Sequence, residues 1–221
     1  MRAYKFLSAQ HGLKSIKEKR IKQSRVADLN DPFELRAYDV TDPILRQTFL
    51  QTRNDVDKDR GLLCFSASWK NPVIWAHYSD KHAGLCLGFD IPEMKVDPLD
   101  NAGPVEYVAQ LLPCPTPGDF ENMSEAERQA FARKALFTKF EHWVYEEEIR
   151  EWGPPGEKDG ELYFVPFSEN LRLAEVIAGQ RFKGPKSEII DALGSLAVEV
   201  EIKKARASYN KFEMVEDEGW H

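Results

Sequence analysis

Glu146, Glu148 and Arg150 stand at alternate positions in the run Tyr145-Glu146-Glu147-Glu148-Ile149-Arg150. Side chains alternate between the faces of a strand, so an extended run projects these three together and sends Tyr145, Glu147 and Ile149 to the other side. Two carboxylates beside one guanidinium can orient a ribose hydroxyl, move a proton, or stabilise a centre that turns positive as a bond to it breaks. Continued as a helix, the same stretch gives a stripe of Lys139, Trp143, Glu146 and Arg150 whose Glu146–Arg150 pair is worth about a few tenths of a kcal/mol. Both readings stand at this point.

A second group lies upstream. If Leu62 to Ser68 is extended, Ser66 and Ser68 offer two hydroxyls on one side near a strand end, where ligands commonly dock. The helix expected after Asn71-Pro72 carries Trp75 and Tyr78 on one face, with His82 further along it and His77 to the side. His77 and His82 are five apart, one more than the spacing at which two helical histidines share a metal, and no metal site is expected. Leu29-Asn30-Asp31-Pro32-Phe33-Glu34 reads either as a tight turn or as a ligand rim of Asn30, Asp31 and Glu34. Cys64 and Cys86 lie in apolar runs with no cation beside them in sequence, and no GxSxG, P-loop, GxGxxG or HExxH motif occurs.

These groups need a scaffold. Tyr4, Phe6 and Leu7 predict a first strand, and Ser8 caps a helix to about Arg20. Thr41-Asp42-Pro43 opens a second helix through Leu50, and the apolar runs Leu62–Ser66 and Leu85–Phe89 predict two buried strands around the Asn71-capped helix. Residues 92–118 read as loop and rim with an edge strand at 104–108. Ser124 and Glu127 form a capping box for the longest helix, whose Phe131, Ala135, Phe140 and Trp143 face the core. Leu162–Phe167 and Leu173–Ala178 are strand-like, a helix runs from Pro185 to Leu193, and Leu196, Val198, Val200 and Ile202 alternate as a final strand with Glu199 and Glu201 outward. Residues 205–221 are a polar tail on a single domain of residues 1–204. Strands and helices mixed without regular alternation predict an α+β fold, its mixed or split, antiparallel-rich sheet flanked by helices.

Composition sets the outer bounds. A chain of 221 residues, 42% hydrophobic and 30% charged, has globular proportions and is neither disordered nor fibrous. No apolar run reaches membrane-spanning length and no signal-peptide core opens the chain, so it is read as cytoplasmic with no membrane partner. Three cysteines without CxxC spacing exclude a disulfide framework and a thiolate zinc site. Residues 1–25 hold eight Lys/Arg against Glu18 alone, within a chain of net charge −7. A basic lobe on an acidic body argues against non-specific coating of nucleic acid; it is either a patch that meets phosphates or a solvated helix face.

Six blocks in order carry a resemblance: Leu-Asn-Asp-Pro-Phe-Glu at 29–34, Cys-Phe-Ser at 64–66, Trp-x-His-Tyr at 75–78, His82-x-Gly84, Gly88-Phe89-Asp90, and Trp-x-Tyr-Glu-x-Glu-x-Arg at 143–150. Over roughly Tyr4 to Gly179 the chain looks like the bacterial domain-of-unknown-function 2971 family. Members of that family often occur near prophage and phage-defence genes, which implies a toxin or abortive-infection role. More distantly, the opening Tyr4-Lys5-Phe6-Leu7-Ser8 is similar to NAD-using ADP-ribosyltransferases of the diphtheria-toxin-like and DarT-like type. That resemblance implies an ADP-ribosyltransferase-like fold with NAD as substrate and a nucleic-acid or protein target, regulated by an antitoxin or immunity partner. It also implies site residues. Lys5 takes the first-strand position, Ser66 or Ser68 the middle one, and Glu148 the late acid, with Glu146 as the earlier acid of an E-x-E pair. Tyr78 flanks the nicotinamide, Asn30 and Arg150 complete the NAD-binding set, and His77 or Glu146 accepts the proton of the target nucleophile. Lys5 departs from the His or Arg of those enzymes, since an ammonium meets pyrophosphate as a point charge without bidentate geometry. Two rival expectations are a non-catalytic interaction module of a defence system, and a metal-dependent nuclease using Asp31, Glu34 and Asp90.

Overall fold

The computed structural model describes residues 1–92 and 101–220 of the chain. It opens as its sequence predicts. Strand β1 (Arg2–Leu7) leads to helix α1 (Ala9–Glu18), whose N-cap Ser8 accepts from the His11 amide, and Lys19 ends it in the left-handed conformation. A strand the hydropathy pattern does not mark, β2 (Arg20–Gln23), follows at once. Helix α2 (Pro43–Asp59) starts at Asp42, which accepts the Ile44 and Leu45 amides, and at seventeen residues it is longer than the helix expected to be longest. Strands β3 (Gly61–Ser66) and β4 (Leu85–Asp90) flank helix α3 (Pro72–Tyr78), capped by Asn71. The edge strand expected at 104–108 is two short ones, β5 (Ala102–Pro104) and β6 (Glu106–Val108), and residues 93–100 of the expected rim lie outside the described residues.

Helices α4 (Pro117–Asn122) and α5 (Glu125–Phe137) follow, α5 with the Ser124–Glu127 capping box. The chain then turns back through β7 (Thr138–Phe140), a 3-10 turn (Glu141–Glu146) and β8 (Glu148–Gly153). Phe140 and Trp143 therefore do not extend the apolar face of α5. Strands β9 (Glu157–Asp159), β10 (Leu162–Pro166) and β11 (Arg172–Ala178) precede helix α6 (Lys186–Leu193). The final strand is displaced from its expected position. Residues 194–198 form a 3-10 turn, leaving Val198 89% exposed, and β12 (Glu201–Ala207) and β13 (Met214–Glu216) come later. Ala205 and Met214 are buried, so the stretch read as a polar tail closes the sheet.

The architecture is α+β, with a mixed eight-stranded sheet in the order β13-β12-β11-β4-β1-β3-β8-β5 and two smaller sheets, β2-β10-β9 and β6-β7. Within the large sheet only β11 and β12 run parallel. On one face Ala3, Leu63, Phe65, Leu87, Phe89 and Ile149 pack with Ile16 of α1 and Ile189 and Leu193 of α6. On the other, Phe6, Cys86 and Ile177 meet Ile74 and Trp75 of α3. No helix of the described residues is long and apolar enough to cross a membrane.

Candidate functional site

The sheet has a seam at its centre. β1 is bonded to β4 along six residue pairs, and β3 to β8 along six, yet β1 and β3 are bridged at Tyr4↔Ser66 alone. Beyond that bridge the two strands part, and the end of β2 crosses to β3, where Ser24 and Leu62 exchange backbone hydrogen bonds of 2.9 Å. A cleft of about 250 Å3 occupies the gap, and its walls include Tyr4, Lys5, Ser66, Tyr78, Lys139, Glu146 and Glu148, with Asn30 at the mouth.

The acids converge through a device that neither alternation nor helical spacing describes. Glu146 ends the 3-10 turn, Glu147 adopts φ 42°, and Glu148 starts β8. The left-handed residue reverses the path between the two acids, a conformation rare for non-glycine residues and uphill by about 1 kcal/mol. Both carboxylates then face Lys139, whose Nζ lies 2.6 Å from Glu146 Oε2, 3.1 Å from Glu148 Oε2 and 3.5 Å from Glu34 Oε1. Arg150, fully buried, donates from Nε and Nη2 to Glu148 (2.8 and 3.0 Å) and from Nη2 to Glu34 (2.8 Å). Its Nη1 donates to the Leu136 carbonyl at 2.9 Å. Three carboxylates and two cations are thus taken out of water together, an arrangement that holds only while every partner remains.

Electrostatics divides the acids. Burial pushes the Glu148 carboxyl up, but Arg150 and Lys139 outweigh it and hold it down at about 2. Glu34 goes the other way: burial prevails over Arg150 and Lys139, and its pKa is raised. Its Oε2 has no hydrogen-bond partner among the described residues. Burial alone would lower the Lys139 pKa, whereas Glu148, Glu34 and Glu146 together raise it and keep the ammonium charged. Tyr78 completes a chain of hydrogen bonds: its hydroxyl accepts from Asn30 Nδ2 (3.0 Å) and donates to Glu146 Oε1 (2.5 Å), and burial followed by Glu146 raises its pKa. Tyr107, raised by burial to about 12, accepts the Glu148 amide at 2.8 Å and so fixes the backbone of the acid.

Of the residues singled out from sequence, Lys5, Asn30, Ser66, Tyr78, Glu146 and Glu148 come together here. Lys5 Nζ donates to the Cys64 carbonyl at 3.0 Å, across the gap between the parted strands. Arg150 stands behind Glu148 and does not line the cleft. Ser68 serves through its backbone: its carbonyl accepts from Ser66 Oγ (2.8 Å), its amide donates back (3.2 Å), and its own hydroxyl caps the Lys70 amide. His77 lies apart, exposed, its ring stacked on Tyr145 with centroids 5.8 Å apart. Glu34 is buried as a member of the ion cluster and Asp31 is buried near it, neither on a rim, while Asp90 pairs with Arg2 and Arg172. Of the amino-terminal cations, Arg2, Lys14, Arg20, Lys22 and Arg25 are each within ion-pair distance of an acid of the same chain, several of them at the surface. Sequence reasoning missed Lys139, Tyr107 and the Cys64 carbonyl as parts of the site. The one signal for Lys139 was an isolated cation ahead of an acidic run, and it fitted a helical stripe equally well.

Comparison of the chain with protein-family models, curated proteins and solved structures finds no match. The chemistry must be argued from the cleft itself.

Proposed function

We propose that the chain is an NAD-dependent ADP-ribosyltransferase-like enzyme that transfers ADP-ribose to a macromolecular target, nucleic acid or protein, as a toxin or phage-defence effector. The observation that carries this reading is the convergence of Lys5, Ser66, Tyr78, Glu146 and Glu148 on one cleft where the sheet parts. Ligand pockets typically run from about 300 to 1,000 Å3, so a cleft of about 250 Å3 suits the nicotinamide-ribose end of a dinucleotide, with the rest along the mouth.

In this reading the nicotinamide ring lies beside Tyr78 and Ser66, and Lys5 answers the pyrophosphate charge. The bond from ribose C1′ to the nicotinamide nitrogen breaks with its electron pair leaving on nicotinamide, and C1′ turns positive. Glu148, ionised at any physiological pH, faces that charge from a dry and rigid position, where a fixed carboxylate is worth several kcal/mol. The target nucleophile bonds to C1′ and gives its proton to Glu146, which Tyr78 and Lys139 orient. His77 is exposed and does not line the cleft, so Glu146 is assigned this role.

Incubating the protein with NAD and, separately, RNA, DNA or lysate tests the reading by nicotinamide release and label transfer. Glu148→Gln should lower the rate by about 100-fold or more, the scale seen when a preorganised charge-stabilising group is removed. Tyr78→Phe, which leaves the ion cluster intact, should slow it less, and His77→Ala should not change it. Absence of nicotinamide release and of any thermal shift with NAD would remove the proposal. Nothing in the arrangement favours the nuclease reading: Asp31, Glu34 and Asp90 answer to different partners, and no metal-holding group of three occurs among the described residues.

A further inference from the structure

A second cavity lies behind the ion cluster, and its chemistry is unlike that of the cleft. It measures about 440 Å3 and lies between α2 and α5, lined by apolar side chains that include Leu45, Phe49 and Val56 of α2 and Phe131, Ala135 and Leu136 of α5. Leu45, Phe49 and Val56 recur at helical spacing, the pattern by which a helix buries one face. Yet none of the seventeen residues of α2 is buried, and α5 buries Phe137 alone. Phe49 and Val56 are only partly covered, by the cluster of Val26, Leu35, Leu62, Phe137 and Trp152, and the stripe also borders the cavity. Protein interiors are close-packed, and a gap of this size leaves its walls without dispersion partners.

The charged part of the lining has one sign. Arg53 and Arg60 line the cavity, half-buried, and among the described residues no Asp or Glu does, although the chain as a whole is acidic. Arg60 donates to the Asn101 side chain at 3.1 Å and Arg53 reaches the Val26 carbonyl at 3.5 Å; neither forms an ion pair among the described residues. Arg25, by contrast, is paired with Asp57. Two uncompensated cations at an apolar cavity are complementary to a ligand with an apolar tail and a single anionic head.

We propose that this cavity is a binding site for a medium-chain acyl carboxylate, its chain between α2 and α5 and its head on Arg53 and Arg60. The site is independent of the NAD reading. It does abut the ion cluster: Leu35, held at φ 66°, lines the cavity next to Glu34, and the Leu136 carbonyl that receives Arg150 Nη1 belongs to another lining residue.

Titration calorimetry and thermal melts of the full chain with decanoate, and with decanol as the uncharged control, test the proposal. Saturable one-to-one binding of decanoate with a raised melting temperature is expected, decanol binding at least tenfold more weakly. Arg53→Gln with Arg60→Gln should weaken decanoate about tenfold or more and leave decanol unchanged. Ala135→Trp, which places a ring in the cavity, should abolish binding of both while the chain stays folded; Ala132→Phe is the second filling variant should the first not fold. Failure of wild type to bind decanoate saturably, equal affinity for decanol, or full binding by the filled variants would each overturn the proposal.

Discussion

Replacing Glu148 with Gln removes one charge from a buried network and keeps the volume. Its carboxylate accepts from Arg150 at 2.8 and 3.0 Å and from Lys139 at 3.1 Å, and these partners lower its pKa from 4.5 to about 2. A carboxyl with a depressed folded-state pKa contributes stability above its unfolded pKa and loses it as pH falls towards the folded value. At about 1.4 kcal/mol per pKa unit the interval corresponds to roughly 3 kcal/mol at pH 7. For a chain of this length that is about 6–12 °C in melting temperature. At pH 3 wild type retains only about 1 kcal/mol of it, because the unfolded carboxyl is then protonated and the folded one begins to be. Melts of wild type and Glu148→Gln from pH 7 to pH 3 should therefore show a wide gap that narrows below about pH 4.5. A gap that is absent at neutral pH, or that stays constant through the acid range, would refute the assignment of Glu148 as the ionised centre of the cluster.

Glu34→Gln should behave differently: a raised pKa means that its ionised form is disfavoured in the folded chain, so the substitution should cost less at pH 7 than Glu148→Gln, with the difference read from paired melts. Tyr78→Phe removes a hydroxyl that donates to Glu146 and should lower stability by about 1 kcal/mol in denaturant titrations. Gly84→Ala should be severe, since a Cβ there would stand 2.1 Å from the Leu7 carbonyl oxygen; expression with loss of the cooperative melt is the expected result. Asp42→Ala strips the N-cap of α2 and should cost about 1 kcal/mol, measured by urea unfolding.

Much of the scaffold is legible where local chemistry is strong. Ser8, Asp42, Asn71 and Ser124 announce their helices because a cap is a contact between neighbours in sequence. β3 and β4 are legible as apolar runs because both faces are covered. What eludes the sequence depends on distant partners. The alternation of Leu196 to Ile202 satisfies the strand period, yet the pairing that makes a strand is set by β11, which takes Glu201 to Lys204 opposite Glu175 to Ala178. Glu146 and Glu148 were marked for the site, but their convergence rests on the left-handed Glu147 and on Lys139, and neither a helix nor an uninterrupted strand contains that turn.

The seam between β1 and β3 also bears on how the molecule forms. Tyr4 must find Ser66, Arg2 must find Asp90, and Gly61 must find Gly153 before the centre of the sheet exists. Closing such long loops comes before any compensating contact, so topologies dominated by remote pairings fold slowly. The two halves, β1 with β4 and β3 with β8, each complete a ladder of their own and share one bridge. The cleft therefore belongs to neither half: Tyr4 and Lys5 come from one, Ser66 and Glu148 from the other, and it exists only while the two are joined.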